Sequence, residues 1–125
     1  MNYKGVIRMP KIISLDKFTR ADVDLHVYEN IHKEGIHRIF FLTNLKEESI
    51  RGGNTCRNAY EGLICIKGYC EVKVLENEIE RIYTLNSPDI CLMIEPNEWH
   101  EIINFDDDTI LLAFSNKKYN ELEMY

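Results

Sequence analysis

The sequence predicts an all-β domain of the barrel, jelly-roll or sandwich kind, and three observations carry that expectation. From Val6 to Phe114 the chain is a series of short segments rich in Ile, Val, Phe, Tyr and Leu, broken by turn residues at intervals of roughly ten. Tyr69 to Leu75 alternates as a half-buried antiparallel strand should, with Cys70, Val72 and Val74 on one face. Many such strands must close on themselves or pair as two sheets to hide their edges.

In chain order, strands are expected over 6–13, 25–29, 37–43, 60–67, 69–76, 79–85, 90–95, 99–104 and 109–115. Lys67-Gly68 supplies a tight turn that makes 60–76 a hairpin. Asn77-Glu78 closes the next hairpin into Ile79–Leu85. Asn86-Ser87-Pro88-Asp89 is a polar turn, because its proline cannot sit in a central strand. Asp106-Asp107-Asp108 reads as a solvated turn. After Ser115 the chain turns polar, which predicts a short C-terminal surface tail with at most one helical turn.

The chain has 125 residues, near the usual size of one domain, with no repeat, low-complexity tract or linker, so a single domain over 1–125 is expected. With 15 Lys+Arg against 21 Asp+Glu the formal charge is -6, the wrong sign for a binder of duplex DNA or of an anionic membrane. The apolar runs Ile39–Leu42, Ile90–Ile94 and Ile110–Phe114 are too short to cross a bilayer, and no secretory apolar region follows Met1. A cytoplasmic protein with neither nucleic-acid nor membrane partners is expected. Cys56, Cys65, Cys70 and Cys91 have no CxxC spacing, and three lie in apolar runs where a reduced thiol acts as a small hydrophobe.

Two stretches carry a resemblance. Asn54, Cys56, Glu61 and Gly68 keep the spacing of the first cupin motif, H-x-H-x(3,4)-E-x(6)-G, with both histidines replaced. Pro96-Asn97-Glu98-Trp99-His100 and Asn104 resemble the second motif and keep its His and Asn. In wider context, Arg51-Gly52-Gly53-Asn54-Thr55-Cys56, Leu63 to Gly68, Ile94 to Phe105, and Ile110 to Ser115 with Tyr119 and Glu121 resemble the dTDP-sugar 3,4-ketoisomerases of the WxcM/FdtA/QdtA-like cupins. Those read R-G-x-H-A-H, L-V-C-L-x-G, P-x-x-W-H and V-L-L-V-L-A-S with Y-x-E. Leu25 to Glu29 and Arg38 to Leu42 fit their N-terminal strands, so the likeness spans nearly the whole chain.

The resemblance implies a cupin jelly roll, the double-stranded β-helix, that forms a homodimer. The family's N-terminal strand joins the partner's sheet, and the strand end at Ile12-Ile13 is compatible with that. The implied ligand is a dTDP-linked sugar or another sugar nucleotide. The implied reaction moves the keto group of a 4-keto-6-deoxyhexose from C4 to C3 by removing the C3 proton, holding an enediolate and returning a proton at C4. A base and an acid that titrate near the working pH are needed, which suits a histidine pair. Asn54 and Cys56 stand at that pair here; Asn cannot titrate, and an ordinary thiol is mostly protonated at neutral pH.

Three readings follow from the departure. The chemistry is lost and the sugar-nucleotide pocket kept, in a regulatory or structural homologue. Alternatively Cys56 is the base, assisted by His100. In the third, the isomerase runs on His100, Glu61 or Tyr60. A cupin kept only as a protein–protein interaction module is the rival outside this class. Cupins often bind a metal through three His and one Glu; Asn54 would be a poor fourth ligand beside Cys56, Glu61 and His100, and the family needs no metal, so neither metal nor cofactor is expected.

Among the remaining candidates, the Arg51 guanidinium can hold a diphosphate bidentately, against the plainer reading of a surface ion pair. His100 follows Trp99 on a strand, so if Trp99 packs outside the barrel His100 faces inward. Glu61 stands where the family often carries Gln, and an inward carboxylate would serve as a base or pair with Arg51. Tyr60 and Tyr69 suit strand packing, with Tyr60 and Trp99 kept as candidate ligand contacts because aromatic faces stack nucleotide bases. His26, His32 and His37 show no partner spacing and are assigned no chemistry.

Overall fold

The computed structural model describes residues 11–124. Eleven strands run in the order β1 (Ile12–Ser14), β2 (Asp16–Arg20), β3 (Val23–Val27), β4 (Arg38–Leu42), β5 (Arg51–Asn54), β6 (Glu61–Lys67), β7 (Cys70–Glu76), β8 (Ile79–Leu85), β9 (Ile90–Ile94), β10 (His100–Ile103) and β11 (Ile110–Ser115). A 3-10 turn at Tyr119–Glu121 follows. Of the strand expected over 6–13, residues 6–10 lie outside the described residues.

The strands form a five-stranded sheet, β1-β9-β6-β11-β4, a four-stranded sheet, β5-β10-β7-β8, and a separate β2-β3 hairpin. The two larger sheets close on a shared core as a cupin-like jelly roll. Leu63 and Cys65 of β6, Leu92 of β9 and Leu111 of β11 face Cys70, Val72 and Val74 of β7 and Leu85 of β8. Truncating any one of the fully buried leucines would cost about 2–5 kcal/mol, because both the transfer energy and a residual cavity count against it. A second cluster, Ile64, Cys91, Met93 and Phe114 under Ile31, covers the outer face of the five-stranded sheet. That is why β6 is buried from Gly62 through Cys65 and reads as an unbroken apolar run rather than an alternation.

The expected hairpin over 60–76 does not form. β6 pairs with β11 and β9, whereas β7 pairs with β10 and β8, so the chain changes sheets at Gly68. Gly68 has φ +95 and lies directly against Thr109, leaving no room for a side chain. The Thr109 hydroxyl lies 2.7 Å from the Asp106 carbonyl and 3.1 Å from the Tyr69 carbonyl, sharing its one hydrogen between them, and accepts from the Tyr69 amide, which locks this corner. The next hairpin forms as expected, with Asn77 and Glu78 both at positive φ between β7 and β8.

Two strands were not expected. β2 is exposed throughout, and its turn to β3 uses Ala21 and Asp22 at positive φ without a glycine. Its polar face is pinned to the turn before β9, where Asp89 takes a hydrogen bond from His26 at 2.7 Å and lies 3.8 Å from Lys17. Its other face carries the exposed Phe18, Val23 and Leu25. β5 is Arg-Gly-Gly-Asn, a composition with low strand propensity, and it forms only as the edge partner of β10.

Candidate functional site

Alternation along the inner strands places one set of side chains toward the barrel axis, and where these become polar a cavity of about 300 Å³ opens between the sheets. Its deep wall is apolar: Leu42, Leu63, Ile94, Ile102, Leu111 and Ala113. Arg38 and Phe40 of β4, Arg51 and Asn54 of β5, Glu61 of β6 and His100 of β10 also line it, with Cys56, Tyr60 and Glu95 from the connections.

The structure brings together six of the seven residues singled out from sequence. Arg51, Asn54, Cys56, Tyr60, Glu61 and His100 all line the cavity. Trp99 is half-buried just before β10 and does not line it, while His100, on the opposite face, does. Asn54 and His100 are register partners across the β5–β10 pair. Gly52 makes that approach possible: at φ +88, a Cβ there would stand 2.9 Å from the His100 carbonyl oxygen.

His100 is 7% exposed, its Nε2 lies 3.6 Å from Glu61 Oε1, and its Nδ1 is enclosed with no hydrogen-bond partner. The partner of Glu61 is therefore His100 rather than Arg51. Arg51 is exposed and has no ion-pair partner among the described residues, so its donors remain available. Burial, reinforced by Glu95 and Glu34, pushes the Tyr60 phenol above its ordinary range and keeps it a hydrogen-bond donor.

Cys56 is half-buried, and its thiol donates to Asn58 Oδ1 at 3.5 Å. The other three thiols are core groups. Burial pushes Cys91 up to about 12, and the contact with Cys65 together with burial pushes Cys70 up as well. All four cysteines are free. Among the described residues no three His, Cys, Asp or Glu side chains converge to hold a metal ion. The donor set does not fit a cupin metal site, since His100 and Glu61 are joined only by an amide and a thiol turned toward Asn58.

The C-terminal tail is not a simple surface tail. Asn58 donates to the Glu121 carbonyl at 2.7 Å and accepts from the Glu123 amide at 3.0 Å, and Cys56 forms a β-bridge with Met124. Tyr119, Leu122 and Met124 thereby become part of the cavity wall. The polar composition of the tail concealed this, because three spaced apolar side chains suffice once the backbone is clamped.

Two further residues escaped sequence reasoning. Arg38 lies over the rings of Phe40, 4.3 Å from its centroid, and Tyr119, 5.0 Å from its centroid, so a second guanidinium is held at the cavity by aromatic faces. The strand alternation Arg38, Phe40, Leu42 was the available signal. His32 is buried with its ring 4.2 Å from that of Tyr60, and Asn116 ties the Tyr60 amide to the Glu34 carboxylate. The sequence separation of these groups offered no signal.

Residues 6–125 match the family described as FdtA, WxcM-like, C-terminal. The TDP-4-oxo-6-deoxy-alpha-D-glucose-3,4-oxoisomerase of Aneurinibacillus thermoaerophilus is 28% identical over 88 residues, 70% of this chain and 63% of that protein. The match thus spans less than two thirds of that relative's length. A 3,4-ketoisomerase from Helicobacter canadensis is 27% identical, with a TM-score of 0.84 over 90% of this chain and 88% of that one. A double mutant of the QdtA 3,4-ketoisomerase from Thermoanaerobacterium thermosaccharolyticum, solved in complex with TDP, is 25% identical, with a TM-score of 0.82 over 88% and 81% of the two chains.

Proposed function

Because the chain belongs to the FdtA, WxcM-like C-terminal family, we propose that its cavity binds a TDP-linked 4-keto-6-deoxyhexose while the histidine-driven 3,4-ketoisomerisation is lost or strongly slowed. One observation carries this reading: Asn54 and Cys56 line the cavity at the positions where the resemblance puts the histidine pair. An amide does not titrate near neutral pH and cannot serve as a general base, and the Cys56 thiol is engaged as a donor to Asn58.

The ligand half of the proposal draws on Arg38 and Arg51, two guanidiniums at the same cavity that suit a diphosphate. The apolar wall suits the less polar face of a deoxysugar. A homodimer agrees with the exposed apolar face of Phe18, Val23 and Leu25, and with Ile39 and Phe41 on the outer face of edge strand β4. No helix among the described residues is long and apolar enough to cross a membrane, and the four free thiols suit the reducing cytoplasm.

The test is a thermal-shift titration with TDP and with TDP-4-keto-6-deoxyglucose. A ligand that binds only the folded state adds about 2.7 kcal/mol at a hundred times its Kd. A saturable rise in Tm supports the ligand assignment. No rise with either compound would favour a module that binds proteins instead.

A further inference from the structure

We infer that Glu61 and His100 form a proton-transfer pair in this cavity, with Glu61 as the base and His100 as the donor to the sugar's carbonyl oxygen. This rests on the binding of a keto sugar proposed above and adds the groups through which proton exchange beside the keto carbon persists at a low rate.

The two residues come from opposite sheets, Glu61 from the start of β6 and His100 from the start of β10, so they meet only because the barrel closes. At 3.6 Å the two groups are too far apart for a hydrogen bond, which leaves the facing atoms of both free for a ligand oxygen or proton. The ring's Nδ1 is enclosed with no hydrogen-bond partner, whereas Nε2 faces the Glu61 carboxylate, so Nε2–H is the ring donor that the geometry aims at the cavity. A donor is thus placed beside a carboxylate at the cavity wall. A carboxylate base working with a neutral imidazole is a combination that carries isomerisation through an enediolate.

The other candidates are less suited. Asn54 does not titrate. Cys56 donates to Asn58, which in turn holds the C-terminal tail. Burial keeps Tyr60 protonated.

The step balances on these two groups. Glu61 takes the C3 proton, the C3–H electron pair becomes the C3=C4 bond, and the carbonyl π pair moves onto O4, which His100 Nε2–H holds. Return of a solvent-exchanged deuteron from Glu61 to C3 gives labelled starting material. Delivery to C4, with the O3 proton passed to O4 through His100 Nε2, gives the 3-keto isomer and returns the imidazole to its starting state.

The experiment incubates TDP-4-keto-6-deoxyglucose in D₂O with the protein in excess and reads label at C3 by mass spectrometry and NMR. The unaltered protein is expected to exchange above the protein-free rate. Glu61→Gln should lower that exchange at least tenfold while keeping the Tm rise with TDP, and Cys56→Ser should lower it by less. Exchange no faster than without protein would overturn the inference. So would full exchange in Glu61→Gln, a larger loss in Cys56→Ser, or loss of the TDP response in Glu61→Gln, which would make Glu61 a binding group. No TDP response in the unaltered protein would instead overturn the ligand reading beneath it.

Discussion

Asn54 and His100 stand directly opposite each other on neighbouring antiparallel strands, and both line the same cavity. A histidine at position 54 would therefore add an imidazole beside an existing one. The double variant Asn54→His, Cys56→His is expected to raise C3 exchange by about 10² or more, with either single change gaining less. Deuterium incorporation measures it. A folded double variant that binds TDP without faster exchange would contradict the expectation.

Cys56 bridges to Met124, so a histidine at position 56 crowds the tail. Cys56→His is expected to cost about 1–3 kcal/mol in urea denaturation, as overpacking does. Adding Met124→Ala should recover part of that loss, and an additive further loss would show that the bridge does not confine position 56.

The two guanidiniums give a prediction about affinity. Arg51→Ala and Arg38→Ala should each weaken TDP binding at least tenfold, about 1.4 kcal/mol, by isothermal titration calorimetry. Arg38→Ala also removes a packing partner of Phe40 and Tyr119, so a small stability loss should accompany it. Unchanged Kd in both variants would remove the diphosphate role.

Gly52→Ala tests the approach of β5 to β10. At φ +88, with its Cβ 2.9 Å from the His100 carbonyl oxygen, the alanine must shift one strand. A loss of about 1–3 kcal/mol is expected by chemical denaturation. An unchanged midpoint would show that this edge pairing carries little of the fold.

His32 supplies a pH signature. Burial holds its imidazole below the ordinary value, against the opposing pull of Glu34. The unfolded chain therefore takes up its proton first as pH falls below about 6.5. Stability from neutral His32 is complete above that value and is lost as pH drops through the lowered folded-state value. Urea midpoints measured downward from pH 7.5 should fall, and His32→Asn should fall less steeply. Parallel curves would contradict the assignment.

Much of the barrel was legible because burial imposes pattern. β7 alternates cleanly since one face meets the core, and β9 and β11 read as apolar runs. Gly68 showed where the other limit lay: a glycine turn between two strands reads equally as a hairpin or as a corner between sheets, and the Thr109 contact that decides it comes from 41 residues further along. β2 and β5 were missed because exposed or glycine-rich strands carry no burial pattern. At the site, motif spacing located Asn54, Cys56, Glu61 and His100 together. The Glu61–His100 contact was not readable, since strands of different sheets have no fixed sequence relation. Arg38 was missed although the alternation Arg38, Phe40, Leu42 carried a signal, and Tyr119, Leu122 and Met124 because the polar composition of the tail concealed them.

The central claim is that a family pocket is retained without the family's histidine pair. It is tested most directly by the steady-state conversion of TDP-4-keto-6-deoxyglucose to its 3-keto isomer, followed by NMR beside a relative that keeps both histidines. The expected turnover is about 10²–10⁴-fold below that relative, the usual cost of a missing general base, in a protein whose Tm still rises with TDP. Turnover within tenfold of the relative would contradict the account.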